Sequence, residues 1–112
     1  MHSQKTVITG AVNSQPTLNF DALGKAICDF EVIVDRPRPG REPDRTFFHV
    51  GISGKKTQEC FSLLRVGDEV TVIGNVKGSA AIDSSGKPCA SLNLYALGVE
   101  FSQEVWDRAA RT

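Results

Sequence analysis

The stretch Arg36–Gly54, RPRPGREPDRTFFHVGISG, decides how the chain folds, because a segment rich in proline and arginine runs without pause into an aromatic strand. Arg36, Arg38, Arg41 and Arg45 alternate with Pro37, Pro39, Gly40 and Pro43, a composition too polar and stiff for a core and suited to an exposed basic loop. In the strand that follows, Thr46 to Ser53, alternation sets Phe48, Val50 and Ile52 on one face and Phe47, His49, Gly51 and Ser53 on the other. One aromatic must therefore point away from the core. A cationic loop beside an outward aromatic is suited to holding a phosphate backbone while stacking unpaired bases. The plainer alternative is a solvated connection beside an ordinary exposed ring.

On the N-terminal side of this stretch, Thr6 to Val12 (TVITGAV) is β-branched, with Gly10 placed for a bulge or a sharp coil of the strand. Pro16 interrupts it, Thr17 to Phe20 resumes pairing, and Asp21-Ala22-Leu23-Gly24 supplies a turn. From Ala26 to Val34, the residues Ala26, Cys28, Phe30, Val32 and Val34 alternate with Ile27, Asp29, Glu31 and Ile33, the pattern of a half-buried strand. On the C-terminal side the period changes: in KKTQECFSLLR, Cys60, Leu63 and Leu64 fall at helical spacing, and Gly67 and Asp68 end the helix. Glu69 to Lys77 returns to strand alternation with Val70, Val72, Gly74 and Val76 inside. Lys77–Asp83 and Cys89–Phe101 are expected as hairpin arms around the turn Ser84-Ser85-Gly86-Lys87-Pro88, and a switch of parity predicts a bulge near Tyr95 and Ala96.

Three strands, a short helix and two further strands, with bends at Gly10, Gly51, Gly74 and the Tyr95 region, predict an all-β domain. Its plan is a five-stranded OB-fold barrel with one short helix between strands 3 and 4. The expected division is a binding domain over 1–102 and a short C-terminal extension over 103–112, in which Trp106 either packs back on the barrel or offers an exposed contact.

Composition narrows the function. The 112 residues carry 13 basic and 13 acidic side chains, so attraction to nucleic acid must be local rather than a property of the whole chain. No apolar run of transmembrane length and no basic-then-apolar leader occurs, which predicts a soluble, intracellular protein with no membrane partner. Cys28, Cys60 and Cys89 are odd in number, widely spaced and outside any metal-binding motif, so they read as reduced and mostly packed. His2 and His49 are the only histidines, and spacing suggests neither a nucleophile–base grouping nor a glycine-rich phosphate loop beside paired carboxylates. The chain therefore reads as non-catalytic, with no cofactor and no metal.

The segments KTVITGAV, GKAICDFEVIV and FFHVGISGKKTQECFSLLRVGDEVTVIGNVKG resemble the bacterial-type single-stranded DNA-binding proteins over about Lys5 to Phe101. Primosomal proteins of the same fold share much of the pattern. The resemblance implies non-catalytic, largely sequence-independent binding of single-stranded DNA in replication, recombination or repair, in the cytoplasm on the nucleoid. It further implies a homotetramer built from dimers, with replication proteins as further partners. Phe47 matches a base-stacking position, and Lys55, Arg36 and Arg38 match regions that touch phosphate. With the other exposed cations and His49, the expected DNA-contacting set is Arg36, Arg38, Arg41, Arg45, Phe47, His49, Lys55, Lys77 and Lys87.

Three departures stand out. Arg38, Ser53 and Ala81 occupy positions where the family often has more stacking aromatics, and Asp29 and Glu31 lie on the outer face. The segment Ser102–Thr112, SQEVWDRAART, carries Arg108 and Arg111 where the family commonly continues to an acidic tip. The alternative expectation is an OB-fold adaptor of primosome type that acts mainly through protein–protein contacts.

Overall fold

The computed structural model describes the backbone of residues 5–82 and 88–111, and side chains over 5–77 and 92–111. Eight elements follow in order: β1 (Lys5–Val12), β2 (Thr17–Phe20), β3 (Ala26–Arg38), β4 (Arg41–Ser53), α1 (Lys56–Leu63), β5 (Glu69–Ile82), β6 (Pro88–Phe101) and α2 (Gln103–Ala110). The sheet runs β1-β5-β6-β4-β3, and β1 returns to pair with β3, which closes a ring of five strands. The short β2 adds to the edge of β3. All pairings are antiparallel except β4 with β6. This is the expected OB-fold plan, with α1 after the third barrel strand.

Closure depends on two tight approaches. Ala11 and Val12 switch β1 from β5 to β3, and just before them a Cβ at Gly10 would run into the Ile33 carbonyl oxygen and a Val32 methyl group. A second approach lies at Gly74, where a Cβ would strike the Tyr95 carbonyl oxygen. There the β5–β6 register moves from Ile73↔Gly98 to Gly74↔Ala96, leaving Leu97 as an extra residue. That is the bulge anticipated near Tyr95, and it turns Leu97 outward. An extra residue bends the strand and sharpens its twist, as a small barrel requires.

The core follows the period-two pattern. Val12, Cys28, Phe30, Val32, Phe48, Val50, Ile52, Val70, Val72, Leu94, Val99 and Phe101 are buried, joined by Cys60 and Leu64 from the α1 region. The buried Thr57 hydroxyl donates to the Ile52 carbonyl at 3.3 Å, fastening α1 to the end of β4.

One expectation needs correction. The arginine-rich segment is a β-hairpin rather than a loop: β3 and β4 continue to Arg38 and Arg41 and turn at Pro39–Gly40. It remains exposed, so proline is tolerated where the strand edges lack further partners. Lys77–Ile82 continues β5 without a break and pairs with β6 as the expected hairpin arm; most of the expected turn, including Lys87, lies outside the described residues.

The C-terminal segment, expected only as an extension, forms a second helix, α2. Ser102 precedes it, Glu104 sits in the first turn and Arg108 in the last. Val105 is buried. Trp106 packs on Phe101 with ring centroids 5.2 Å apart, and the Lys56 ammonium lies 5.0 and 5.6 Å from the two ring centroids. Trp106 thus packs back while keeping part of its surface in solvent. Among the described residues no helix is long and apolar enough to cross a membrane.

Candidate nucleic-acid interface

The β3–β4 hairpin forms an arm with two chemically different sides. Strand parity sets Arg36, Asp44, Thr46 and Phe48 on the side facing β1, where with Thr6, Ile8 and Val34 they help line a groove of ≈ 420 Å³. Asp35, Arg45, Phe47 and His49 take the outer side, in the cross-strand pairs Asp35↔Arg45, Ile33↔Phe47 and Glu31↔His49. Phe47 is half-buried and lies opposite Ile33 in the β3–β4 pair.

The arm is less cationic than its arginines suggest. Arg38 Nη2 lies 2.6 Å from Asp44 Oδ2. Arg45 Nε donates to Asp35 Oδ1 at 2.8 Å and its Nη2 to Oδ2 at 3.4 Å. Only Arg36 and Arg41 of the four make no ion pair among the described residues. Counting arginines along the sequence overlooks Glu42 and Asp44 in the same stretch and Asp35 just before it. The signal was available: opposite charges on facing strands of a tight hairpin are brought into contact.

The outer face continues around the barrel in rows fixed by register. One row runs Glu31, His49, Asn93, Lys77 across β3, β4, β6 and β5. The next runs Asp29, Gly51, Tyr95, Asn75, Lys5 and so reaches β1. The acids at the β3 end are held by amides: Asn13 Nδ2 donates to Glu31 Oε1, and Asn19 Nδ2 to Asp29 Oδ2 at 2.7 Å. His49 Nδ1 lies 3.9 Å from Glu31 Oε2, and these groups with Ser14 and Thr17 line a groove of ≈ 490 Å³. A phosphate crossing β3 would meet carboxylates. One crossing β5 or β1 would meet Lys77 or Lys5.

The structure therefore brings Arg45, Phe47, His49 and Lys77 onto one outer surface and sends Arg36 to the groove side, while Arg41 sits beside the hairpin turn. Lys55 stands apart, exposed at the N-terminal boundary of α1. Lys87 lies outside the described residues, as does the side chain of Ala81. Tyr95, absent from the expected contacts, is exposed on the same surface. Alternation with buried Leu94 turns Tyr95 outward, but only the parallel pairing of β4 with β6 places it beside Gly51 and on the surface of His49 and Lys77.

The buried thiols are not poised for chemistry. Burial, with the Asp29 charge, pushes the Cys28 pKa up to about 11, and burial, with the neighbouring Cys28, pushes Cys60 up to about 12. No group of three or more metal-ligating side chains occurs among the described residues.

Residues 3–102 match the model of the Single-strand binding protein family. A curated single-stranded DNA-binding protein from Thermus aquaticus is 28% identical over 96 residues, which cover 86% of this chain and 36% of that protein. The chain thus spans about a third of the length of that relative. A solved small single-stranded DNA-binding protein from Streptomyces coelicolor superposes with a TM-score of 0.74 at 21% identity, covering 93% of this chain and 98% of the other.

Proposed function

Because the chain belongs to the single-strand binding protein family, we propose that its barrel binds single-stranded DNA without catalysis and largely without regard to sequence. The observation that carries this reading is Phe47, turned outward at the base of the arm and flanked along its strand by Arg45 and His49. An aromatic ring stacks on any base, and nearby cations follow the backbone, which together give affinity with little sequence preference. The two ion-paired arginines must exchange Asp35 and Asp44 for phosphate. That exchange is accessible because both pairs are about half exposed.

The binding domain is assigned to residues 1–102, with 103–112 as an extension, and its setting to replication, recombination or repair in the cytoplasm on the nucleoid. Outward Ile73, with exposed Val7 opposite it and exposed Leu97 at the bulge, supports assembly into a homotetramer built from dimers, since a second copy would cover them.

A second reading, an adaptor acting mainly on other proteins, draws on Asp29, Glu31 and Asp35 along the outer side of β3, which oppose a phosphate backbone. Titration with an oligothymidine at low and high salt separates the two. Binding that weakens with salt supports the DNA reading; no binding at low salt rejects it in favour of the adaptor.

A further inference from the structure

We propose that Tyr95 carries a second nucleotide subsite, on β5 and β6 rather than on the arm: a base stacks on the phenol ring, Asn75 meets the base edge, and Lys77 and Lys5 hold the backbone. The proposal rests on the single-stranded DNA reading above and adds a place where the strand continues beyond Phe47.

Tyr95 is the chain's one tyrosine and is 60% exposed. Its register partner on β4 is Gly51, which has no side chain of its own and is bordered by the Asp29 carboxylate and an Ile27 methyl group, and its partner on β5 is Asn75. Asn75 Oδ1 is buried and has no hydrogen-bond partner among the described residues. A buried acceptor without a donor is unfavourable. A base edge offers donors in its ring N–H and exocyclic amino groups, which Oδ1 meets only once a half-turn of the amide brings it to the surface. An aromatic platform beside an amide is the pairing that engages the face and the edge of an unpaired base together.

The charges along the rows orient such a ligand. Both rows begin on a β3 carboxylate, Asp29 or Glu31, and end on a lysine, Lys5 or Lys77. Neighbouring strands lie about 4.8 Å apart, so Lys77 is one strand and Lys5 two strands from Tyr95. Phosphates are drawn to the β5–β1 side and repelled from β3, which turns the bases towards Tyr95. The competing use of the ring is contact with a second copy, continuing the apolar surface of Val7 and Leu97. The polar rows of Asn75, Asn93 and Lys77 disfavour it, because the core of a protein interface is depleted in lysine.

The test compares Tyr95→Phe and Tyr95→Leu in the full chain, with an oligothymidine long enough to cross the face. Tyr95→Phe keeps the π-face and the wild-type affinity. Tyr95→Leu keeps apolar area but removes the π-face, and weakens binding roughly 5- to 150-fold, the range for one lost base stack. Light scattering finds the wild-type oligomeric mass in both, and Lys77→Gln lowers the magnitude of the salt slope by ~0.7. Wild-type affinity in Tyr95→Leu, or an affinity loss that accompanies a changed oligomeric mass, overturns the subsite and leaves the Phe47 reading in place. Failure of the wild-type chain to bind at low salt overturns that reading and the subsite with it.

Discussion

The arm and the base of α2 both pair arginine with aspartate, at different depths. On the arm, Arg38 and Asp44 keep 47% and 50% of their side-chain surface in solvent, and Arg45 and Asp35 keep 56% and 46%. At the base of α2, Arg108 and Asp68 keep 24% and 10%. Arg108 donates from two nitrogens to Asp68, at 3.0 and 2.7 Å, and also to the Leu63 carbonyl at 2.7 Å. Asp68 in turn accepts from the Arg65 amide at 2.8 Å. This network ties α2 to the turn that ends α1. The exposed pairs are screened and exchangeable, whereas the sheltered pair joins elements far apart in the chain. Depth therefore separates a structural use of the pair from one available to a ligand.

Phe47→Ala makes the largest test of that division. It should cost roughly 1–3 kcal/mol of single-stranded DNA binding, the range for one stacked base, while the urea midpoint stays at its wild-type value. A large drop in that midpoint would show that the arm's base is structural after all.

Asp68→Ala should do the reverse, costing about 2 kcal/mol of stability and leaving DNA affinity in place. The figure lies below the roughly 3–5 kcal/mol of breaking a fully buried pair because Arg108 retains access to water. If urea unfolding shows no greater loss for Asp68→Ala than for Asp35→Ala, the difference in depth carries no energetic weight.

Asp44→Asn sharpens the functional half. It removes the carboxylate that competes with phosphate for Arg38, so binding should tighten about two- to fivefold at low salt, matching the worth of an exposed pair. The salt dependence should steepen in parallel. Weaker binding would mean that Asp44 positions Arg38 rather than competing for it.

The smallest effect appears in acid. Burial works to raise the Asp68 pKa, but hydrogen bonds from Arg108 and the Arg65 amide, with both arginine charges, outweigh it and hold the carboxyl below its ordinary value. The unfolded chain then binds the proton more readily than the folded one. The contribution is present above the unfolded carboxylate range near pH ~4 and is lost as pH falls through the folded pKa. Asp68→Asn should remove that part of the acid sensitivity, seen as a shallower fall of the urea midpoint below pH ~4. An unchanged profile would place the acid sensitivity elsewhere.

Much of the fold is legible in residue order alone. The run from Ala26 to Val34 and the run from Phe47 to Ser53 each state their inner and outer faces, because side chains alternate along any strand. Helical spacing at Cys60 and Leu64, and the parity change ahead of Val99, mark α1 and the bulge by the same local rule. These are short-range consequences of backbone geometry, and they place Phe47 outward without any knowledge of its neighbours. Tertiary structure alone decides which side chains from distant strands share a surface. The parallel pairing of β4 with β6 sets Tyr95 beside Gly51, and Arg108 finds Asp68 forty residues away in sequence. Closing the barrel creates those neighbours, and no period in the chain encodes the closure register that selects them.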